Sequence, residues 1–379
     1  MVVLKPILLR GKGWKIQVDP NAELDVKVIR KVSHAEICHS VLCADFANVC
    51  LYMCKYCYGA KYWVTGKIYG KTPDAVRRFA KRHADLKYPI RFGSLSDIFD
   101  HRVNWTVFEL AEKAVRHLNE YDYPYIICTK SDLTVHEGLT RVVEESKREN
   151  FELQVTITTT DEKVARFWEP GAPSPRERLR CLKHFADAGY DVVIRVGPIY
   201  PDAFDRWDFS LIDFDVKQFI LEVFWAYGDW LWNFLVPRGV CPVPEELIYK
   251  EEEAERYLAS QILPREGISP ESIKRVPLVY DPEDGRYRWG GPEDRRVIYE
   301  HYLEKIREHF GNTQRVAVCL DPIKRRYPHL LPPDGDCCGG IFARFKERWR
   351  ISSRWRKPVN DMLRAVIGRS PLWWRPKVR

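Results

Sequence analysis

The sequence has no long uninterrupted apolar run. Its longest, Phe219–Val236, is broken by Glu222, Asp229 and Asn233, which predicts an amphipathic helix running into a strand and excludes a membrane span. A secretory signal is also missing: Lys5, Arg10 and Lys12 interrupt the short apolar stretch of Met1–Trp14, and no small-residue cleavage site follows. Eleven cysteines in 379 residues are odd in number and too sparse for a disulfide scaffold. There is no internal repeat and no low-complexity segment. These absences predict a soluble, cytoplasmic protein with no membrane partner, whose cysteines are thiols or metal ligands. What is present is ordinary for a globular chain. With 45% hydrophobic residues, neither a disordered nor a collagen-like polymer is possible.

Charge and cysteine are unevenly spread. Residues 341–379 hold 12 Lys/Arg against Glu347 and Asp361, a net +10 that leaves −2 for residues 1–340 of the total +8. Four tryptophans, Trp349, Trp355, Trp373 and Trp374, share this basic tail. Interleaved Arg and Trp can grip phosphates while stacking bases, so the tail is a candidate nucleic-acid contact. The alternative is a helix around Asp361–Ile367 that packs its apolar side on the body. Five of the eleven cysteines fall between Cys38 and Cys57.

Short apolar or β-branched runs recur: one within Ile37–Asp45, then Ile90–Phe92, Tyr125–Cys128, Leu153–Thr158, Val192–Val196 and Trp232–Val236. Helical patterns fill the gaps. The clearest is Pro175–Ala188, with Ser174 as N-cap, Glu177 completing a capping box and Gly189 ending it. Strands alternating with helices predict an α/β fold with a parallel sheet, and six units predict a partial or full (β/α) barrel. Chemistry in such folds gathers at the C-terminal ends of the strands. There the sequence places Ser94-Leu95-Ser96-Asp97, Thr129-Lys130-Ser131-Asp132, Thr158-Thr159-Thr160-Asp161 and Gly197-Pro198-Ile199-Tyr200-Pro201.

Residues 242–312 break the alternation. They predict a charged helix over Glu245–Leu258, a hairpin within Asp281–Trp289 and a helix over Arg295–Phe310, followed by one more strand at Arg315–Leu320. The expected organisation is an N-terminal extension (1–35), a barrel (36–240), a C-terminal mixed α/β subdomain with a cysteine loop (241–340) and the basic tail (341–379).

Cys50, Cys54 and Cys57 have C-x3-C-x2-C spacing just after the first strand. Three thiolates on one tight loop can hold three corners of a cubane iron–sulfur cluster and leave the fourth iron open. The competing assignment is zinc with a fourth ligand such as Cys43, His39 or His34.

This motif, with Tyr56 before the last cysteine, resembles the radical S-adenosylmethionine (SAM) superfamily. Cys54-Lys55-Tyr56-Cys57-Tyr58 is similar to the spore photoproduct lyase and DNA repair photolyase-like branch. So are Ser96-Asp97, Thr129-Lys130-Ser131, Trp168-Glu169-Pro170-Gly171 with Ser174-Pro175, and Ala188-Gly189-Tyr190 running into Gly197-Pro198-Ile199-Tyr200. The resemblance covers about residues 36–202. It implies a partial (β/α)6 barrel with a [4Fe–4S] cluster on Cys50, Cys54 and Cys57. SAM would bind at the open iron and, on one-electron reduction by a donor such as flavodoxin or ferredoxin, yield a 5′-deoxyadenosyl radical that abstracts hydrogen from substrate. Carried over residue by residue, Tyr56 lies against adenine, Ser96 binds the SAM amino group, Lys130 pairs with its carboxylate and Thr158 holds the methionine end. Glu169 either helps fix the ribose side or the loop, or forms a structural ion pair with Arg176 or Arg178.

One position departs from the branch. Where spore photoproduct lyases place a hydrogen-donating cysteine, two residues before Ser96, this chain has Ser94, and thymine-dimer repair is not implied. Tyr56 and Tyr58 match the branch's tyrosine pair and allow a radical relay. Cys241 is either a substitute donor or an inert thiol. Arg195 is either a lumen contact to substrate or SAM, or half of an ion pair at the barrel floor. Cys319, Cys337 and Cys338 bracket a Pro/Gly-rich loop and form a candidate auxiliary metal site. The expected activity is radical SAM chemistry on a nucleic acid. A peptide or small-metabolite substrate, and a metal-stabilised nucleic-acid-binding protein without radical chemistry, are the alternatives.

Overall fold

The computed structural model describes residues 7–9, 12–14, 17–28, 42–57, 66–94, 96–99, 106–226, 278–281, 285–319 and 321–345. Seven parallel strands cross one sheet in chain order. They are β1 (Leu42–Cys43), β2 (Ile90–Phe92), β3 (Tyr125–Thr129), β4 (Phe151–Thr156), β5 (Asp191–Ile199), β6 (Gln218–Val223) and β7 (Val316–Val318). Lys27–Val28 pairs antiparallel on the β1 edge, and the two edges are not joined to each other, which makes the sheet a partial barrel. Every residue of β3 and Phe151–Val155 of β4 are buried. Parallel strands covered on both faces select apolar runs such as β3, and β4 departs from this with buried Glu152 and Gln154.

The connections hold helices α1 (Thr72–Arg82), α2 (Thr106–Glu120), α3 (Glu137–Glu144), α4 (Glu162–Trp168) and α5 (Pro175–Asp187). In α2, Val107, Ala111, Ala114, Val115 and Leu118 form the buried stripe of an amphipathic helix. In α5 the expected capping box is formed: Glu177 N donates to Ser174 Oγ at 3.3 Å, and Ser174 N donates to Glu177 Oε2 at 2.7 Å. Gly189 follows the helix at φ +83°, the left-handed conformation that ends it.

The sixth strand differs from expectation. Gln218–Val223 is β6, registered Val193↔Gln218 through Val196↔Leu221 against β5, whereas the sequence predicts a helix there. Trp232–Val236, the expected strand, lies outside the described residues. An apolar run buried on both faces carries no period that separates helix from strand, and pairing with β5 decided the outcome. The strand expected at Arg315–Leu320 is present as β7, parallel to β6, so the sheet has seven parallel strands where six units were anticipated.

No helix covers the β5–β6 crossover, which has only a short 3-10 turn at Phe209–Leu211. Helix α6 (Pro292–Phe310) fills that place from later in the chain. Phe310 lies with its ring 5.1 Å from that of Phe219 and 6.3 Å from that of Phe209, and Val223 N donates to Tyr299 Oη at 3.1 Å. Beside it, the expected hairpin pairs Leu278–Asp281 with Arg286–Trp289, and Trp225–Ala226 extends it to three strands. A buried ionic knot locks α6 to this layer: Arg295 Nη2 meets Asp281 at 2.6 Å and Arg295 Nε meets Asp321 at 3.0 Å.

At the start of the basic tail, Ile341–Phe345 forms a single helical turn. Ile341, Phe342 and Phe345 are buried there, and Arg344 Nη1 donates to Glu149 O at 2.6 Å. The rest of the tail and the expected helix at Glu245–Leu258 lie outside the described residues. Among the described residues no helix is long and apolar enough to cross a membrane.

Candidate functional site

One cavity opens at the C-terminal ends of β1 to β6, and the three-cysteine loop forms part of its wall. Cys50, Cys54 and Cys57 line it together with Tyr56, Ser94, Ser96, Asp97, Thr129 and Lys130. The loop folds on itself through a turn in which Cys57 N donates to Cys54 O at 3.1 Å. Two backbone hydrogen bonds then clamp it to the segment after α4: Lys55 N to Trp168 O at 2.8 Å, and Gly171 N to Tyr52 O at 3.0 Å. The Lys55 ammonium sits 3.0 Å over the Phe167 ring, a cation–π contact that fixes the same junction. Glu169 lies between the two clamps.

Glu169 is the hub of the site. Its side chain is fully buried, with Arg178 Nη2 at 2.6 Å from Oε2. Oε1 accepts from Thr158 Oγ1 at 2.5 Å and from Tyr56 Oη, and lies 4.0 Å from Lys130 Nζ. Burial alone would raise this carboxyl's pKa. Arg178 and Lys130 outweigh burial, so it is lowered and Glu169 stays ionised. Of the two readings of Glu169, the ion pair with Arg178 is formed, and the same carboxylate also touches Tyr56, Thr158 and Lys130. Arg176 instead approaches Glu162 at 4.0 Å.

Lys130 is held by its backbone. Its N–H donates to Asp97 Oδ2 at 2.5 Å, and Thr129 Oγ1 donates to Asp97 Oδ1 at 2.7 Å. Asp97 thus fastens the end of β3 to the loop after β2. The Lys130 side chain keeps 18% exposure and passes 5.7 Å from the Tyr56 ring. Burial pushes its pKa down, but Cys54 and Glu169 more than offset this, and the ammonium is retained. Its tip is a cation facing the cavity beside the cysteine loop, able to receive a carboxylate.

Asp45, at the end of β1, accepts from Gly93 N at 2.8 Å and from Ser94 Oγ at 2.6 Å. The Ser94 hydroxyl is thereby committed to a structural bond. Ser96 Oγ donates to Ala47 O at 2.9 Å, and Ser96 lines the cavity. At Gly93 a Cβ would fall 1.9 Å from Cys128 O, at φ +80°; only glycine permits β2 and β3 to approach so closely here. Gly197 is a milder case, where a Cβ would come 3.0 Å from Glu222 O.

The donor set suits a multi-iron cluster by its chemistry. Three thiols from one loop face one cavity, and burial pushes the Cys54 thiol up to about 12 while Lys130 pulls the other way. A metal therefore has to displace that proton, and the resulting thiolates would find Lys130 and Arg178 as neighbouring cations. Among the described residues no three His, Cys, Asp or Glu side chains converge on one point as a single metal ion requires. In a cubane each thiolate binds a different iron.

Other expected residues fall as follows. Tyr58 and Cys241 lie outside the described residues. Cys319, Cys337 and Cys338 are buried together, with Cys337 linked by thiol hydrogen bonds to both others. Arg195 lines the cavity and pairs with Glu222 at 3.2 Å, which is the ion pair of its second reading. Sequence reasoning named Asp97 within a motif but gave it no role, and missed Asp45, Arg91 and Cys128. Arg91 could have been found, because a charged residue at the centre of Ile90-Arg91-Phe92 is anomalous in a strand buried on both faces.

Residues 45–206 match the family model of the radical SAM superfamily. A protein of Acidianus two-tailed virus, uncharacterized protein ORF301, is 45% identical over 49 residues, which span 13% of this chain and 16% of that one. Among solved structures, spore photoproduct lyase complexed with dinucleoside spore photoproduct aligns at 16% identity and TM-score 0.49, covering 77% of this chain and 78% of that one. Streptococcus suis SuiB bound to S-adenosylmethionine aligns at 11% identity and TM-score 0.45, covering 77% and 54%.

Proposed function

We propose that this chain, whose residues 45–206 belong to the radical SAM superfamily, modifies or repairs bases of a nucleic acid. Members of the superfamily use a [4Fe–4S] cluster and SAM, and the pair supplies a 5′-deoxyadenosyl radical able to abstract hydrogen from an unactivated carbon. The observation that carries the reading is the meeting of the Cys50/Cys54/Cys57 loop with Lys130 in one cavity at the strand ends, with the buried Glu169 carboxylate 4.0 Å behind Lys130 Nζ.

In this reading Cys50, Cys54 and Cys57 hold the cluster, and Lys130 receives the SAM carboxylate. Tyr56, whose ring faces Tyr200 at 5.8 Å, offers an apolar surface to adenine, and its hydroxyl is anchored by Glu169 and Thr158. Burial keeps the Tyr56 phenol protonated. Ser96 and Thr158 supply hydroxyls to the polar end of SAM. A nucleic-acid substrate rests on the branch motifs and on the basic Trp/Arg tail. The base would enter the cavity flipped from a duplex or from a single strand. Thymine-dimer repair is not part of the proposal, because the Ser94 O–H bond is too strong to give hydrogen easily to a carbon radical and is tied to Asp45.

Anaerobic reconstitution tests it. The expected product is a brown protein with about four irons that cleaves SAM to 5′-deoxyadenosine on reduction, with deuterium moving from labelled oligonucleotide into that product. Cys54→Ala should abolish cleavage while circular dichroism stays unchanged. A colourless zinc protein would refute the radical reading, and label transfer only from peptides or small metabolites would replace the substrate class.

A further inference from the structure

Below the strand ends, the barrel carries polar side chains that the chemistry above does not use. Arg91 on β2, Cys128 on β3, Arg195 on β5 and Glu222 on β6 line the same cavity as the cysteine loop. Both arginines are more than nine-tenths buried. Arg91 Nη2 donates to Cys128 Sγ at 3.0 Å, and its Nε has no hydrogen-bond partner among the described residues. Arg195 donates to Gln154 Oε1 at 3.2 Å, Glu222 Oε2 at 3.2 Å and Cys319 Sγ at 3.5 Å.

The charges here do not balance. Two guanidiniums feel each other's like charge, and the carboxylate paired with them among the described residues is Glu222, on Arg195, which also accepts from Trp225 Nε1 at 2.6 Å. Glu152, lower on β4, is kept protonated chiefly by burial and offers no compensation. Lys130 and Arg178 share Glu169 in the separate cluster above. A structural ion pair would set an acid opposite each arginine, since a buried unpaired cation is strongly unfavourable. Arg91 instead has a thiol and an unused N–H. A guanidinium presents a fork of donors that fits the oxygens of a carboxylate or phosphate.

We propose that Arg91 and Arg195 bind a small oxyanion group of the substrate, a carboxylate or a phosphate ester such as the phosphate of a flipped nucleotide, on the lumen side of the cavity. This rests on the reading that substrate meets the radical in this cavity. The oxyanion would meet the guanidinium groups of Arg91 and Arg195 where these residues line the cavity and draw Arg195 partly from Glu222, fixing which carbon of the substrate faces the cysteine loop.

Calorimetry on the full-length protein tests the assignment, as isolated and after reconstitution with saturating SAM. Inorganic phosphate and acetate serve as separate probes, titrated against matched sodium chloride. The expected result is one saturable site, and whichever probe binds more tightly identifies the group as phosphoryl or carboxylate. Arg91→Gln should weaken that binding by roughly tenfold or more, and Glu222→Gln should tighten it by roughly threefold or more, because Arg195 is released. A gain of binding cannot come from misfolding. No saturable binding to the unaltered protein, affinities unmoved by both substitutions, or displacement of the probe by SAM would each overturn the proposal. Binding that depends on Arg91 in a protein that never cleaves SAM keeps the oxyanion site and rejects the radical reading instead.

Discussion

At the scale of single residues, the site is a set of charges stabilised by one another rather than by water. Lys130 remains charged because Cys54 and Glu169 offset its burial, and Glu169 remains charged because Arg178 and Lys130 flank it. Lys130→Ala leaves Glu169 its Arg178 partner but removes the cation beside the cysteine loop. SAM affinity should fall at least thirtyfold, or about 2 kcal/mol, while iron content is retained, as equilibrium binding and iron analysis would show. Lost iron with unchanged SAM affinity would move the SAM site elsewhere. Glu152 shows the opposite electrostatics. Burial holds its carboxyl well above the usual range, Gln154 Nε2 donates to Oε1 at 2.7 Å, and Oε2 has no partner among the described residues. The folded state therefore holds a proton that the unfolded chain releases above about pH 4.5. Stability falls as pH rises from that value toward the raised folded one, by about 1.4 kcal/mol per unit from this group. Glu152→Gln should remove that slope and make the protein more stable at neutral pH in denaturant titrations.

At the scale of elements, strand ends and caps carry the positioning. Ser174 begins α5, and α5 delivers Arg178 to Glu169. Ser174→Ala breaks both hydrogen bonds of the capping box and should cost about 1 kcal/mol of stability. It should also loosen the loop that clamps the cysteines, seen as faster amide exchange at Lys55 and Gly171. The capping box was legible in the sequence because Ser, Pro and Glu at fixed offsets have local partners. The strand β6 was not. Its six residues are buried on both faces except for Glu222, and only pairing with β5 distinguishes such a run from a helix. The same holds for α6, whose place over the β5–β6 crossover follows from Phe310 meeting Phe209 and Phe219, residues far apart in the chain.

At the scale of the molecule, the net positive charge lies in the C-terminal part of the sequence. Burial of Ile341, Phe342 and Phe345 shows that the body continues to residue 345. The charge beyond it, 11 Lys/Arg against two acids in residues 346–379, is the proposed nucleic-acid contact. Removing residues 346–379 should weaken oligonucleotide binding and flatten its dependence on salt, because every phosphate that is no longer neutralised lowers the log–log slope by about 0.9 on duplex DNA. SAM affinity should persist, since none of the residues assigned to SAM or the cluster falls within 346–379. A salt slope unchanged by the deletion would place the nucleic-acid contact on the barrel or remove it.

The sequence by itself determined the cysteine loop, the polar strand ends and the α/β alternation, because each is written in residues a few positions apart. The tertiary structure alone decided that Glu169 reaches Tyr56, Thr158, Lys130 and Arg178 at once, and that Arg91 and Arg195 face one cavity. Those groups come from different strands, loops and helices, and only the curling of the sheet brings them within range of one another's charge.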